Sequence, residues 1–357
     1  MTERLGALRA SIAGRRLTGL LVTGLPGVSY LSGFAGSSGF MLIEPREATL
    51  FTDFRYETQA TVEVGPGVSL HILSDGNWAA LGERLADSPP GRRLGFEAGQ
   101  LSILEHQRLC AACDSVIWEA TDGLVEELRA VKGAEELEAI AAAVDLADAA
   151  LEALLPEIRA GVTELELAAR LEYGLRRAGS EPLPFSPIVA FGERSALPHA
   201  APSERALASG DLVLLDFGAR IDGYCSDMTR VFTLGRAATW QEEVHAAVLA
   251  ACEAAMAALA PGVPCAAVDA AARDSLEATG LAERFGHSTG HGLGLEVHEA
   301  PRLHRKEQRV LRAGNVVTVE PGVYLPGRGG IRIEQAVVVE SGGGRVMTGS
   351  SPDLIEL

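Results

Sequence analysis

The stretch GDLVLLDFGARIDGYCSDMTRVFTLG, Gly210 to Gly235, carries two acids, Asp216 and Asp227, eleven positions apart. Each lies in an apolar, strand-like run, and the polar segment ARIDGY separates them. That pattern predicts a β-hairpin with its turn near Asp222-Gly223. A turn centred between Ile221 and Asp222 puts Asp216 directly opposite Asp227. A two-residue Asp222-Gly223 turn makes them diagonal neighbours. Strand side chains alternate with period 2, so in both registers the two carboxylates leave the same face. Like charges placed so are destabilising unless something positive lies between them, and a divalent cation is the obvious candidate. Two solvated strand acids are the plain alternative.

A second stretch weighs against that alternative. GNVVTVEPG, Gly314 to Gly322, repeats the pattern of GDLVLLDFG, Gly210 to Gly218, 104 residues later, and aligns Glu320 with Asp216. Ahead of each lies a helix-like segment that begins Gly-Val and ends in Gly: Gly161-Val162 with Gly179, and Gly262-Val263 with Gly280. This predicts an internal duplication of helix, helix and hairpin. Two halves packed about a pseudo-twofold axis would bring both acidic hairpins to one centre. The second hairpin also carries Glu334, in GGIRIEQAVVVE, mirroring Asp227. Four carboxylates in one dry site need roughly two divalent ions to balance them.

The remaining features bound the answer. The chain has 357 residues, a two-domain length, and ample apolar content for a large core. A formal net charge of -17 argues against nucleic acid or an anionic membrane as partner. No apolar run reaches the ~18 to 20 residues of a membrane span, and MTERLGALRASIAGRR has no apolar centre of a secretory signal. A cytoplasmic protein is expected. The five cysteines (110, 113, 225, 252 and 265) read as reduced thiols. Cys110 and Cys113 have redox-motif spacing, but in an apparent helix they read as packing. Cys225 shares the parity of Asp227, yet a thiolate is a poor companion for hard oxygen donors.

Residues 1–130 read as a mixed α/β domain, with a buried-strand pattern at Leu17 to Leu25 and further strands in ATLFTD, SLHIL, LGFEA and SVIWEA. Gly36-Ser37-Ser38-Gly39 lacks the lysine and helix of a phosphate loop and reads as a tight hairpin turn. Residues 131–357 alternate helices, expected at 135–158, 164–178, 241–259 and 266–279, with the two hairpins. His71, His106, His245 and His304 have no matching context and read as structural.

His287, His291 and His298 fall within twelve residues in FGHSTGHGLGLEVHEAP, among glycines at 286, 290, 292 and 294. One imidazole added to Asp216, Asp227, Glu320 and Glu334 makes an oxygen-dominated set suited to Mn, Co, Fe or Zn. Two such ions would bridge a water, lower its pKa and polarise a carbonyl. The residues alone thus reach a dinuclear metal hydrolase.

The strings LPHAAP, LDFGARIDGYCSDMTR, GHGLGLEVHEAP, VTVEPGVY and GIRIEQAVVV resemble the pita-bread metallopeptidases, the family of methionine aminopeptidase, aminopeptidase P and prolidase. GLPGVSYLSGFAGSSG and LFTDFRYETQA resemble the amino-terminal domain of the Xaa-Pro peptidases and creatinase, which methionine aminopeptidases usually lack. The resemblance implies an α/β (α+β) chain: a creatinase-like domain over 1–130 for oligomerisation and substrate access, then a pseudo-twofold pita-bread catalytic domain over 131–357. It implies that Asp216, Asp227, His291, Glu320 and Glu334 hold two divalent ions, with Mn2+ expected and Co2+, Zn2+ or Fe2+ as alternatives. Glu320 would also move the proton to the leaving prolyl nitrogen. His298 and His199 would donate hydrogen bonds to the scissile carbonyl. His287 would line the proline pocket, Arg332 would fix Glu334 or substrate carbonyls, and Tyr324 would help bind substrate. The complete ligand set counts against a creatinase-type activity and against a non-catalytic interaction module.

The expected activity is removal of the amino-terminal residue next to proline, in proline-containing peptides, by a homodimer. Such a bond is a tertiary amide without an N–H, so a site built on the ring and on activated water suits it. The short chain and its first domain resemble the small bacterial aminopeptidase P group, with Xaa-Pro dipeptidase (prolidase) as the alternative. A prolidase needs a cation for the dipeptide carboxylate, and the sequence offers many arginines without singling one out.

Overall fold

The computed structural model describes residues 2–74, 77–89 and 91–357. It divides into two compact units, the first ending at Arg129 and the second spanning Ala130–Leu357. In the first, six strands form one mixed sheet in the order Ser69–Leu73, Ala48–Asp53, Phe40–Ile43, Leu20–Val22, Arg92–Glu97, Val116–Thr121. Leu20–Val22 and Phe40–Ile43 are buried throughout, as their unbroken apolar sequence requires of central strands.

One turn lies elsewhere than expected. VSYLS belongs to a helix, Leu25–Ser32, started by Pro26 and closed by Gly33 at φ 81°. Gly36 to Gly39 therefore joins a helix to a strand and forms no hairpin turn. The hairpin is four residues on, where the Glu44 amide donates to the Glu47 carbonyl at 2.8 Å. Cys110 lies in the helix Ile103–Ala112 with Cys113 at its end, and all five cysteines are free thiols.

The second unit is built twice. Helices Ala134–Leu154 and Glu164–Arg177 precede strands Ile188–Phe191, Leu212–Phe217 and Met228–Thr233. Helices Thr239–Ala257 and Cys265–Glu277 precede strands Gly290–Gly292, Val316–Val319 and Gln335–Glu340. The first helix stops short of the expected 158 because Pro156 enters a 3-10 turn. Equivalent backbone bonds mark the duplication. Gly161 donates to Leu207 and Leu207 to Val162, each at 2.8 Å; Gly262 donates to Leu311 and Leu311 to Val263, each at 2.8 Å. The paired glycines 161/262, 179/280 and 210/314 all have positive φ, a conformation in which a side chain is strained.

Alternation then decides what faces the centre. Val213, Leu215 and Phe217 pack with Leu151, Leu167 and Leu171 of the first helix pair. Leu212 and Leu214 turn the other way, toward the core shared with the second half, and Asp216 follows their parity. Pairing of Asp216 with Thr229 and of Ile221 with Tyr224 selects the two-residue turn, with Asp222 at φ 48° and Gly223 at φ 80°. Two successive positive φ values are those of a type I′ turn. Asp216 and Asp227 are therefore diagonal neighbours. In the second hairpin Val319 pairs with Gln335 and Gly322 with Arg332, which sets Glu320 directly opposite Glu334.

Candidate metal centre

Each half contributes its hairpin acids, and strand Gly290–Gly292 adds His291. Ligand atoms of Asp227, His291 and Glu334 lie within 4.8 Å of one another, and all three residues are buried. His291 Nε2 is 3.6 Å from Asp227 Oδ2 and 3.4 Å from Glu320 Oε1. His291 Nδ1 donates to the Gly292 carbonyl at 3.0 Å, which leaves the Nε2 lone pair facing the carboxylates. Burial holds this imidazole neutral, with its pKa lowered to about 4.

The carboxylates repel. Burial first, then Glu334, Asp216 and Glu320, raise Asp227 well above the usual range. Burial, then Glu320 and Asp216, do the same to Glu334. Glu320 rises to about 7, driven by burial and opposed by Arg332. Asp216 Oδ1 and Asp227 Oδ1 are buried with no hydrogen-bond partner. Orphaned carboxylate oxygens beside a free imidazole lone pair are the donor set a divalent ion satisfies, so the residues present fit the expected metals.

Arg332 stands differently from expectation. Its Nη2 pairs with Asp216, Nη1 donates to the Tyr324 hydroxyl at 2.8 Å, and Nε donates to Thr229 Oγ1 at 3.0 Å. Thr229 Oγ1 in turn donates to Glu334 Oε2 at 2.7 Å. Arg332 thus holds Asp216 directly and reaches Glu334 only through Thr229. Burial works against its charge, but Tyr324, Asp216, Glu320 and Glu334 outweigh it and raise its pKa. His287 is also engaged: Nδ1 donates to Ser288 O at 2.9 Å and Nε2 accepts from the Tyr324 hydroxyl at 2.8 Å. Burial lowers His287 to about 4 and raises Tyr324 to about 12.

The carboxylates, His287, His291, Arg332, His199 and His298 all line one cavity of about 610 Å³; Tyr324 sits behind His287. The His298 ring meets His291 edge-on at 4.4 Å. Phe185, Pro187, Ile188, Pro198, Pro202 and Val297 supply an apolar wall, and Arg302 a cation. Sequence reasoning passed over Thr229 and Arg302. Both were within reach of strand parity: Thr229 shares it with Asp227, and Arg302, in strand Glu299–Leu303, shares it with His298.

Residues 138–341 match the family described as metallopeptidase family M24, and residues 4–131 match the creatinase/prolidase N-terminal domain. The chain belongs to metallopeptidase family M24. It is therefore a hydrolase of a family that works with metal. An Xaa-Pro dipeptidase from Bacillus anthracis has the same fold, with a TM-score of 0.96 and 38% identity over 100% of this chain and 99% of that one. An X-Pro aminopeptidase from Thermotoga maritima superposes with a TM-score of 0.89 and 35% identity, over 96% and 98% of the two chains. An Xaa-Pro dipeptidase from Pyrococcus furiosus is 33% identical over 99% of this chain and 100% of its own. Among the described residues of this M24 chain, no helix is long and apolar enough to cross a membrane.

Proposed function

We propose that this M24 peptidase is an Xaa-Pro dipeptidase that works with two divalent ions, manganese being the expected metal. Asp216, Asp227, His291, Glu320 and Glu334 would hold them. When bound, the ions supply Lewis-acid polarisation of the carbonyl and activation of water. Glu320, buried and raised to about 7, is suited to take a proton near neutral pH and return it to the prolyl nitrogen. His298 and His199, both exposed in the cavity, would donate to the carbonyl oxygen. Phe185, Pro187 and Pro202 offer apolar surface for the proline ring. The proposed homodimer and the role of the first unit in access rest on the family resemblance.

The observation that carries the dipeptidase over the aminopeptidase is Arg302. It lines the cavity, is exposed, and makes no ion pair with a carboxylate among the described residues. A dipeptide ends in a carboxylate next to its proline ring, and a planar guanidinium binds carboxylate in two-pronged fashion. The dipeptidase names of two of the three relatives above point the same way, while the Thermotoga maritima relative carries an aminopeptidase name. One observation favours the aminopeptidase: Arg302 also borders a second cavity, so chain beyond the proline has somewhere to go.

The test is hydrolysis of Ala-Pro, Ala-Pro-amide and Ala-Pro-Ala with manganese and with chelator. Ala-Pro should be cut fastest, only with metal. Arg302→Ala should lower kcat/KM for Ala-Pro by about 10- to 100-fold, as expected for a lost charge-assisted bond, and leave Ala-Pro-amide little changed. Cleavage of Ala-Pro-Ala at or above the rate for Ala-Pro would return the assignment to aminopeptidase P.

A further inference from the structure

A second cavity, also of about 610 Å³, adjoins the metal-centre cavity and shares His287, Ser288 and Arg302 with it. Its character is opposite to that of the chain. The protein carries a formal net charge of -17, yet Arg302, Arg305 and Lys306 line this space against a single acid, Glu307. Arg273 also borders it but is committed to Asp269, at 2.7 and 3.1 Å, and to the carbonyls of Phe285 and His287. His304 Nδ1 accepts the Lys306 amide at 3.3 Å, and Glu307 Oε1 accepts the Arg309 amide at 3.0 Å. No described carboxylate forms an ion pair with the side chains of Arg302, Arg305 or Lys306.

We propose that this second cavity is a binding site for a carboxylate that lies beyond the proline of a bound peptide. The inference rests on the Xaa-Pro reading of the neighbouring site. The proline's own carboxylate, in a dipeptide, falls at the shared wall on Arg302. Each further residue extends the peptide by about 3.5 Å, past that wall toward Arg305 and Lys306. An acidic side chain or the carboxyl terminus then meets cations in a recess whose concave wall strengthens the field above that of a flat surface. Peptides with Asp or Glu after the proline are the product-like inhibitors this recess selects.

The test uses the full-length, manganese-loaded protein and two isosteric peptides, Pro-Asp-Asp-amide and Pro-Asn-Asn-amide. Neither contains an Xaa-Pro bond, and amidation removes the terminal carboxylate. Titration calorimetry at low salt should show the Asp peptide binding about tenfold tighter, the sum of a few exposed ion pairs. The double variant R305A/K306A should bind both alike while its kcat/KM on Ala-Pro stays unchanged. That unchanged turnover, with an unchanged Tm, also shows that the variant folds; Lys306→Gln alone should give a partial loss. Equal affinities in the unaltered protein overturn the proposal. So does an Asp preference that survives undiminished in the double variant, since the carboxylates would then be bound by the metals or by Arg302 and not by Arg305 and Lys306. A preference that the double variant abolishes, in a protein that does not cut Ala-Pro, keeps this site and removes the Xaa-Pro reading.

Discussion

Glu320 and Thr229 show two ways in which one side chain serves this centre. Glu320 is held 3.4 Å from His291 with a carboxyl raised to about 7, so Glu320→Gln keeps the shape and loses the titrating oxygen. Turnover of Ala-Pro should fall about 10²- to 10⁴-fold, the usual worth of a positioned acid–base group, with the thermal melt near that of the parent. Near-normal turnover would remove Glu320 from proton transfer. Thr229 is buried and does not line the cavity. It accepts from Arg332 and donates to Glu334, which orients that carboxylate. Thr229→Val preserves volume and deletes both bonds. Metal affinity, read by titrating chelated protein, should weaken about 10- to 100-fold, while saturating metal restores most of the turnover. The acids were legible in the sequence because equal parity and a repeated pattern gave each a partner. Thr229 and Arg302 obeyed the same parity, but threonine and arginine are too common for parity alone to mark them. The Arg332–Asp216 contact spans 116 residues and exists only once the halves are packed.

Among the elements, the duplicated hairpins were readable and their registers were not. Both readings of the first hairpin put its acids on one face, so parity could not choose; the left-handed conformations at Asp222 and Gly223 do. The misplaced hairpin turn has a different cause. Gly36 to Gly39 offered turn residues, but Pro26 at a helix start and Gly33 at its end had already claimed the preceding segment. Close approach between strands gives the sharpest prediction at this scale. A Cβ on Gly290 would lie 1.9 Å from the Thr318 carbonyl oxygen, a backbone atom that cannot swing aside. Gly290→Ala should therefore push strand Gly290–Gly292 away from Val316–Val319 and displace His291. The expected loss of stability is on the order of 3 kcal/mol, the upper end of overpacking, together with weaker metal binding. Gly174, inside helix Glu164–Arg177, has nothing within 4 Å of its added Cβ. There Ala should instead stabilise by roughly 0.5–1 kcal/mol through helix propensity. Urea titrations of the two variants decide both, and a mild Gly290→Ala would show that the strands are less tightly apposed than described.

At the scale of the molecule, the carboxylate cage couples metal, protons and folding. Asp227 and Glu334 are raised well above their ordinary values, and Glu320 is raised from 4.5 to about 7, chiefly by burial. A carboxyl whose folded pKa exceeds its unfolded one binds its proton more tightly in the fold. Its contribution to stability is full below the unfolded value and is lost as pH rises through the folded value. Protein stripped by chelator should therefore lose this contribution between about pH 4.5 and 7, the window set by Glu320. Metal should reverse the sign, because ions held by this cage would bind the ionised carboxylates of the folded form and stabilise it by mass action. The measurement is Tm with saturating manganese minus Tm with chelator, taken across that window. Other acids titrate equally in both samples and cancel in the difference. The difference should be small near pH 4.5 and grow steadily toward pH 7. A difference that is large but flat with pH would mean that the cage holds its protons no more tightly than solvent does. No difference at any pH, in enzyme that chelator inactivates, would mean that the buried acids bear no unbalanced charge, and the orphaned oxygens of Asp216 and Asp227 would then need some other partner.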